Sequence, residues 1–508
     1  MIRISALVRK DFYKADHRSQ YPDNTTAVYS NFTPRGSRIQ GVNEVIFFGL
    51  QYYLKEYLLR QFNETFFKAD KDKATKAYKR RMDTSLGKDA VSVQHIADLH
   101  DLGYLPVEIK AIPEGMAVPM RIPMFTIQST KPEFYWMTNF LETLLSKVWF
   151  PCTSATTAKR YYEIFYRYAM KTLRDTGFVQ WQGHDFSDRG HTSEESAMLS
   201  AMGHLLYFTG TDTIKGIDGL EMYYNANAEE ELIGGSVPAT EHSVMCMGGK
   251  ENEFDTYKRL ITKTYPKGIV SIVSDTWDLW NVLANHLPKL KDIIMNREGK
   301  VVIRPDSGDP VNILCGINNG TRMKLTEVSN PKSIAPEKGV VECLWDIFGG
   351  TINADGYKVL DPHIGYIYGD SITPERAEEI CRRLEAKKFA STGVFGIGSY
   401  TYQYVTRDTF GFAVKATYGE INGMPVEIFK DPITDNGLKK SAKGLLSVSL
   451  DDNLNMVLYD CCSKRDEEKG LLRPVFRNGE LLIDYTLADV RKQAMASVKI
   501  ENELADLE

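Results

Sequence analysis

Three observations in the sequence predict an α/β protein with a β/α barrel and a second α/β domain built from both chain ends. After residue 178 the chain alternates strand, loop and helix, the rhythm of parallel strands joined by crossover helices. Polar residues fall at the C-terminal ends of those strands, where a barrel of this kind opens its mouth. Outside that run the pattern changes, and the tail (TFGFAVKATY, VEIFKDP, LLSVSL) is rich in strand formers. The expected domains are therefore 1–150 with 400–508, and 151–399 for the barrel. A chain of 508 residues is too long for one simple core.

The elements follow in order. VNEVIFFGLQYYLKEYLLRQF (42–62) has apolar residues at helical spacing and reads as one amphipathic helix. Residues 64–100 are charged and helical, a surface excursion. PEFYWMTNFLETLLSKVWF (132–150) reads as an apolar helix, and 154–177 as another that Gly177 caps. GIVSIVSD (268–275) is a buried strand ending in Asp275, with a helix through LWNVLANHL. KVVIRPDSGDP (300–310) is a strand running into an acidic loop, and HIGYIYGD (363–370) a strand ending in Gly-Asp. A helix over 371–389 starts with Thr373 as N-cap and Pro374 at its first position. TGVFGIGS (392–399) is a last strand entering a glycine loop, and 315–338 is a polar, turn-rich insert.

Composition narrows the class. Hydrophobic residues at 43% and charged residues at 25% describe an ordinary globular protein. A net charge of −5 and a pI near 6.1 give no general attraction to nucleic acid or anionic membrane, so neither is an expected partner. An anionic substrate would have to meet a local cluster of Arg and Lys. The opening MIRISALVRKDFYK has no apolar core for a signal peptide, and no window approaches the roughly 18 apolar residues of a membrane span. Seven cysteines with no CxxC pair fit reduced thiols and a cytoplasmic location, without a zinc site.

Five loops carry chemistry. HDFSDRG (184–190) offers the aromatic Phe186 and the cation Arg189. GTDT (210–213) presents Asp212 in a tight turn. SVPATEHS (236–243) sets Glu241 beside His242, after Gly-Gly and with a proline, in a turn or at a strand edge. IRPDSGDP carries Arg304 and Asp306, and the fifth set is Gly369, Asp370 and the FGIGS loop with Gly398. Each loop alone has a structural reading, since Pro, Asp, Ser and Gly favour turns. Together they describe one pocket suited to a flat aromatic, a ribose and phosphates.

DFYKADHRSQYP (11–22), HDFSDRG, GTDT, SVPATEHS, IRPDSG, GD, VTRD (405–408), FKDP and VFRNGEL occur in one order along nearly the whole chain. In that combination the sequence resembles the nicotinamide phosphoribosyltransferase family. The resemblance implies the type II phosphoribosyltransferase fold, an irregular β/α barrel with a second α/β domain, working as a homodimer with shared active sites. It implies transfer of phosphoribose from phosphoribosyl pyrophosphate to nicotinamide, giving nicotinamide mononucleotide and pyrophosphate in NAD salvage, with Mg²⁺ and ATP. Phe186 would stack on the pyridine ring and Tyr13 of the partner subunit would cover its other face. Arg189 would meet the carboxamide oxygen and Asp212 its NH₂. Arg304 and Asp306 would hold the ribose-pyrophosphate region, Gly369 and Asp370 the ribose hydroxyls, and Gly398 the 5′-phosphate. Arg35, Arg407 and Lys415, with Lys430 as a further candidate, would bring cations to phosphates across the dimer. His242 would accept a phosphoryl group from ATP, with Glu241 or Asp275 fixing its tautomer.

The chemistry is consistent with these roles. An oxocarbenium-like transition state is stabilised by nearby carboxylates, and pyrophosphate leaves once its charge is neutralised. No residue is assigned to metal from the sequence. Asp188, Ser399 and Ala413 depart from the vertebrate pattern and imply a bacterial or phage branch. Nicotinate phosphoribosyltransferase is the alternative enzyme, and Asp212 separates the two, because it would repel a carboxylate substrate. An inactive nucleotide-binding homologue is a further alternative, against which His242, Asp306 and Arg304 all stand.

Overall fold

The computed structural model describes residues 4–317, 323–369, 371–430 and 442–498. Asp370, one of the ribose candidates, lies outside them. The chain divides into two compact units, one of Met1–Thr156, Gly219–Ala226 and Val405–Ser497, the other chiefly of Thr157–Asp218 and Asn227–Tyr404.

The first unit is built on a seven-stranded antiparallel sheet. Its order is Met424–Glu427, Ala413–Ile421, Thr25–Thr33, Phe125–Ser129, Val107–Ala111, Arg473–Arg477 and Glu480–Leu481. The N- and C-terminal segments share this sheet through Phe32 opposite Val414. Phe32 stacks on Phe125 and Phe412 with ring centroids 4.9 and 5.3 Å away.

The helix expected over 42–62 starts later. Glu44–Ile46 is a strand paired with Ala117–Pro119, and helical backbone begins at Leu50. Gly49 separates the two at φ +97°, a left-handed conformation suited to glycine, and the buried Glu114 carboxylate accepts from the N–H groups of Gly49 and Gln51. Residues 132–148 form a series of short turns rather than one helix, and the next helix runs Trp149–Leu173. Arg174, at φ +55°, follows its last residue, so Gly177 is not the cap. Residues 331–338 of the expected loop are helical.

The second unit is a parallel barrel. Its strands are β1 (Gly183–Asp185), β2 (Gly210–Thr211), β3 (Val270–Val273), β4 (Val301–Arg304), β5 (Ile364–Tyr368) and β6 (Val394–Ile397), in the order β2-β1-β6-β5-β4-β3. All neighbours are parallel. Nearly every residue of β3 and β4 is buried, as expected of strands covered on both faces. The extended stretch 235–239 joins the two edges. Gly235 bridges Gly210 on β2, and Ala239 bridges Ser271 on β3. Gly235 N–H donates to the Thr209 carbonyl at 2.7 Å, and Ser271 N–H donates to the Pro238 carbonyl at 2.9 Å. Proline fits there because the bond uses its carbonyl and needs no N–H. Thr373 caps the helix Pro374–Ala386 by accepting from Arg376 N–H.

Candidate active site

Because the strands are parallel, their C-terminal ends share one rim. Asp185 ends β1, Asp212 follows β2, Asp275 follows β3, Arg304 ends β4 with Asp306 just beyond, Gly369 follows β5 and Gly398 follows β6.

Asp212 Oδ1 accepts from His184 Nε2 at 2.8 Å and from the Ser236 hydroxyl at 2.6 Å. Its backbone N–H donates to the Asp185 carbonyl at 2.9 Å. Burial pushes the Asp212 carboxyl up, but the hydrogen bonds from His184 and Ser236, with the charges of His184 and Arg304, outweigh it and hold the group below its ordinary value. Phe186 is half-buried, its ring centroid 4.5 Å from that of His184. A Cβ on Gly396 would come within 2.8 Å of the Phe186 ring, so glycine makes the ring's seat. Arg189 is exposed and makes no hydrogen bond or ion pair among the described residues.

On the other side of the rim, Asp275 Oδ2 accepts from Asp306 N–H at 2.9 Å and from the Ser307 hydroxyl, while its buried Oδ1 has no donor. Arg304 donates to the Thr240 carbonyl at 2.6 Å. A Cβ on Gly369 would fall 2.4 Å from Asp306 Oδ1, so the chain passes close by that carboxylate. Gly398 precedes the short helix Ser399–Gln403 and makes no side-chain cap.

His242 opens the helix His242–Met247, half-exposed at the rim. Its Nδ1 is 3.2 Å from the Thr276 hydroxyl and its Nε2 is 3.7 Å from Asp306 Oδ2. The expectation that Glu241 or Asp275 flanks this imidazole needs correction. Glu241 turns back to accept from the Ser243 hydroxyl, and Asp275 is taken by the Asp306–Ser307 turn. Thr276 and Asp306 fill that place. The sequence held a weak signal for Thr276, which directly follows Asp275 at a strand end. Nothing local marked His184 and Ser236 as partners of Asp212.

The remaining candidates belong to the first unit. Tyr13 is 59% exposed, with its ring 5.0 Å from His17. Arg35 donates to the Gly411 carbonyl at 2.8 Å, and Arg407 lies 3.6 Å from Asp408. Lys415 is pushed below its ordinary value by desolvation; Glu142 opposes this, and the charges of Lys430, Arg35 and Lys14 reinforce it. Lys415, Lys430, Arg35 and Lys14 form a positive cluster on an overall acidic chain. Among the described residues no helix is long and apolar enough to cross a membrane.

Residues 181–480 match the nicotinate phosphoribosyltransferase family, and residues 5–109 match the nicotinamide phosphoribosyltransferase N-terminal domain. The chain is 52% identical to a nicotinamide phosphoribosyltransferase of Acinetobacter baylyi, covering 98% of this chain and 99% of that one. It is 34% identical to one of Xanthomonas campestris pv. campestris, covering 97% and 98%. Among solved structures, nicotinate-nucleotide pyrophosphorylase from Pyrococcus furiosus matches all of both chains with a TM-score of 0.55 at 14% identity. Human nicotinic acid phosphoribosyltransferase covers 96% of this chain and 93% of its own, with a TM-score of 0.51 at 14% identity. These two share the fold. The chain belongs to the nicotinate phosphoribosyltransferase family and, by its N-terminal domain and its near relatives, to the nicotinamide phosphoribosyltransferases.

Proposed function

We propose that the enzyme transfers phosphoribose from phosphoribosyl pyrophosphate to nicotinamide, coupled to ATP hydrolysis through a phosphohistidine at His242. The observation that carries the choice of substrate is Asp212, a carboxylate at the barrel rim whose charge is held by two donors. A carboxamide NH₂ donates to such a group, whereas the carboxylate of nicotinate is repelled. Arg189 meets the carboxamide oxygen and Phe186 stacks on the ring. Arg304 and Asp306 hold the ribose-pyrophosphate, with Gly369 and Gly398 letting backbone approach it.

In the transfer, the pyridine nitrogen forms a bond to the anomeric carbon as the bond to pyrophosphate breaks. Asp306 and Asp275 stabilise the positive charge that develops on the ribose between these events. Asp306 and the unpartnered Oδ1 of Asp275 are oxygen donors of the kind Mg²⁺ prefers, one or two carboxylates beside substrate phosphates. Bound there, Mg²⁺ would neutralise the leaving pyrophosphate.

His242 offers an imidazole nitrogen to the γ-phosphorus of ATP, and ADP leaves with the electron pair of the broken P–O bond. Its exposure supports access, and Thr276 and Asp306 hold the ring. Incubation with γ-labelled ATP should give an acid-labile label that needs Mg²⁺ and is absent in His242→Ala. Label unchanged in that variant sinks the assignment.

Tyr13, Arg35, Arg407, Lys415 and Lys430 complete the site of a second subunit in this reading. Mixed Tyr13→Ala and Asp306→Ala subunits should regain activity as hybrid dimers. No recovery after confirmed subunit exchange counts against a shared site.

A further inference from the structure

Both donors to Asp212 bind the same oxygen. His184 Nε2 and the Ser236 hydroxyl converge on Oδ1, while Oδ2 takes no hydrogen bond among the described residues. The His184 side chain is only 10% exposed, whereas that of Asp212 is 44% exposed. The imidazole is thus a fixed part of the barrel wall and the carboxylate is the part that faces outward. Two features hold the ring in place. A Cβ on Gly210 would fall 2.8 Å from His184 Nδ1, so glycine at that position makes room for the imidazole. Phe186 packs against the same ring at 4.5 Å. His184 lies within β1 and Asp212 directly after the adjacent β2, where the register sets His184 opposite Gly210.

We infer that His184 is a positioning residue for substrate selection. With Ser236 it pins Oδ1 and leaves Oδ2 as the single acceptor presented to the substrate. A freely rotating carboxylate would offer either oxygen in many directions, and the NH₂ of a carboxamide would find an aligned partner only part of the time. Pinning one oxygen removes that freedom before the substrate arrives. Because the imidazole also touches Phe186, one side chain sets both the ring seat and the amide acceptor. This inference rests on the reading of Asp212 as the carboxamide partner.

The test compares His184→Gln, which keeps an N–H donor at similar reach, with His184→Met, which keeps bulk without a donor, and with Ser236→Ala at an exposed position. Steady-state kinetics with nicotinamide and nicotinate, at saturating phosphoribosyl pyrophosphate, give KM and kcat for each. His184→Met should raise the nicotinamide KM roughly tenfold and lower the nicotinamide-over-nicotinate preference by a similar factor, as expected for loss of a hydrogen bond to a charged group. Its kcat should change far less. Ser236→Ala should move both quantities the same way by a smaller factor, and His184→Gln should stay near wild type. Equal damage in His184→Gln and His184→Met overturns the donor role, as does an unchanged KM and preference in both His184→Met and Ser236→Ala. A wild-type enzyme that makes no nicotinamide mononucleotide would instead remove the underlying reading of Asp212.

Discussion

Charged groups are treated in opposite ways in the two units. In the antiparallel sheet of the first unit and the helix Lys464–Lys469 packed near it, opposite charges cancel each other. Lys110 lies 2.5 Å from Glu467 and 3.8 Å from Glu108, and Arg477 also binds Glu108. Glu108, Glu467 and Lys110 are all buried. At the barrel rim, hydrogen bonds rather than Lys–carboxylate or Arg–carboxylate pairs hold the charges. Asp212 is held by an imidazole N–H and a hydroxyl, Asp275 by a backbone N–H and a hydroxyl, and Arg304 by a carbonyl. A backbone group or a hydroxyl fixes a charged side chain without cancelling it. The sheet uses charge for cohesion, whereas the rim keeps it for a ligand.

Breaking the pairing in the sheet should have the largest effect on stability and little on catalysis. Lys110→Met leaves buried carboxylates short of a counter-charge and should cost about 3–5 kcal/mol, read by urea denaturation. The kcat/KM of the folded fraction should hold. A loss below about 1 kcal/mol would place this cluster with the weak surface pairs.

The converse change is Asp306→Asn at the rim. It keeps the shape and removes one charge, so kcat/KM should fall about 10²–10³-fold with stability little altered. A large loss of stability with modest loss of rate would erase the contrast between the units.

Asp212→Asn sharpens the comparison further. The preference for nicotinamide over nicotinate should fall roughly ten- to a hundredfold. An unmoved ratio, or a wild type that prefers nicotinate, removes this role. The pH dependence follows from the direction of the Asp212 shift. A carboxyl held below its ordinary value contributes stability that is present above that value and lost as pH falls through the lowered one. The charge is therefore present at neutral and mildly acid pH, and the preference should stay flat from pH 8 down to about 5.5. A drift toward nicotinate within that window would mean that some other group sets the selection.

Much of the rim was legible because hydrophobic strands stop abruptly at polar residues. Asp275, Arg304, Asp306, Gly369 and Gly398 each follow or end such a run, and parallel strands bring those ends together. That Thr276 and Asp306 pair with His242 was not legible, since they come from two other strand ends that only the closed sheet brings beside it. The stretch 42–48 was misread for a different reason. Val45, Ile46, Phe47 and Phe48 are all buried, so the apolar run carries no period and strand and helix look alike. The left-handed Gly49 decides between them.

The stretch that closes the barrel also acts as a ruler. Gly235 is tied to one strand and Ala239 to another, so the number of residues between them is fixed by the gap they span. Ser236 lies inside that span, and His242 follows three residues beyond it. The placement of both along the rim is set by counting from two anchored points. The ties run through backbone groups, so side chains there can be exchanged without loosening them. One added or deleted residue would slip Ser236 away from Asp212, or His242 away from Thr276, even with every side chain of the rim retained. Redesign of this enzyme's substrate choice is therefore bound by the number of residues in this stretch as well as by the side chains of Ser236 and His242.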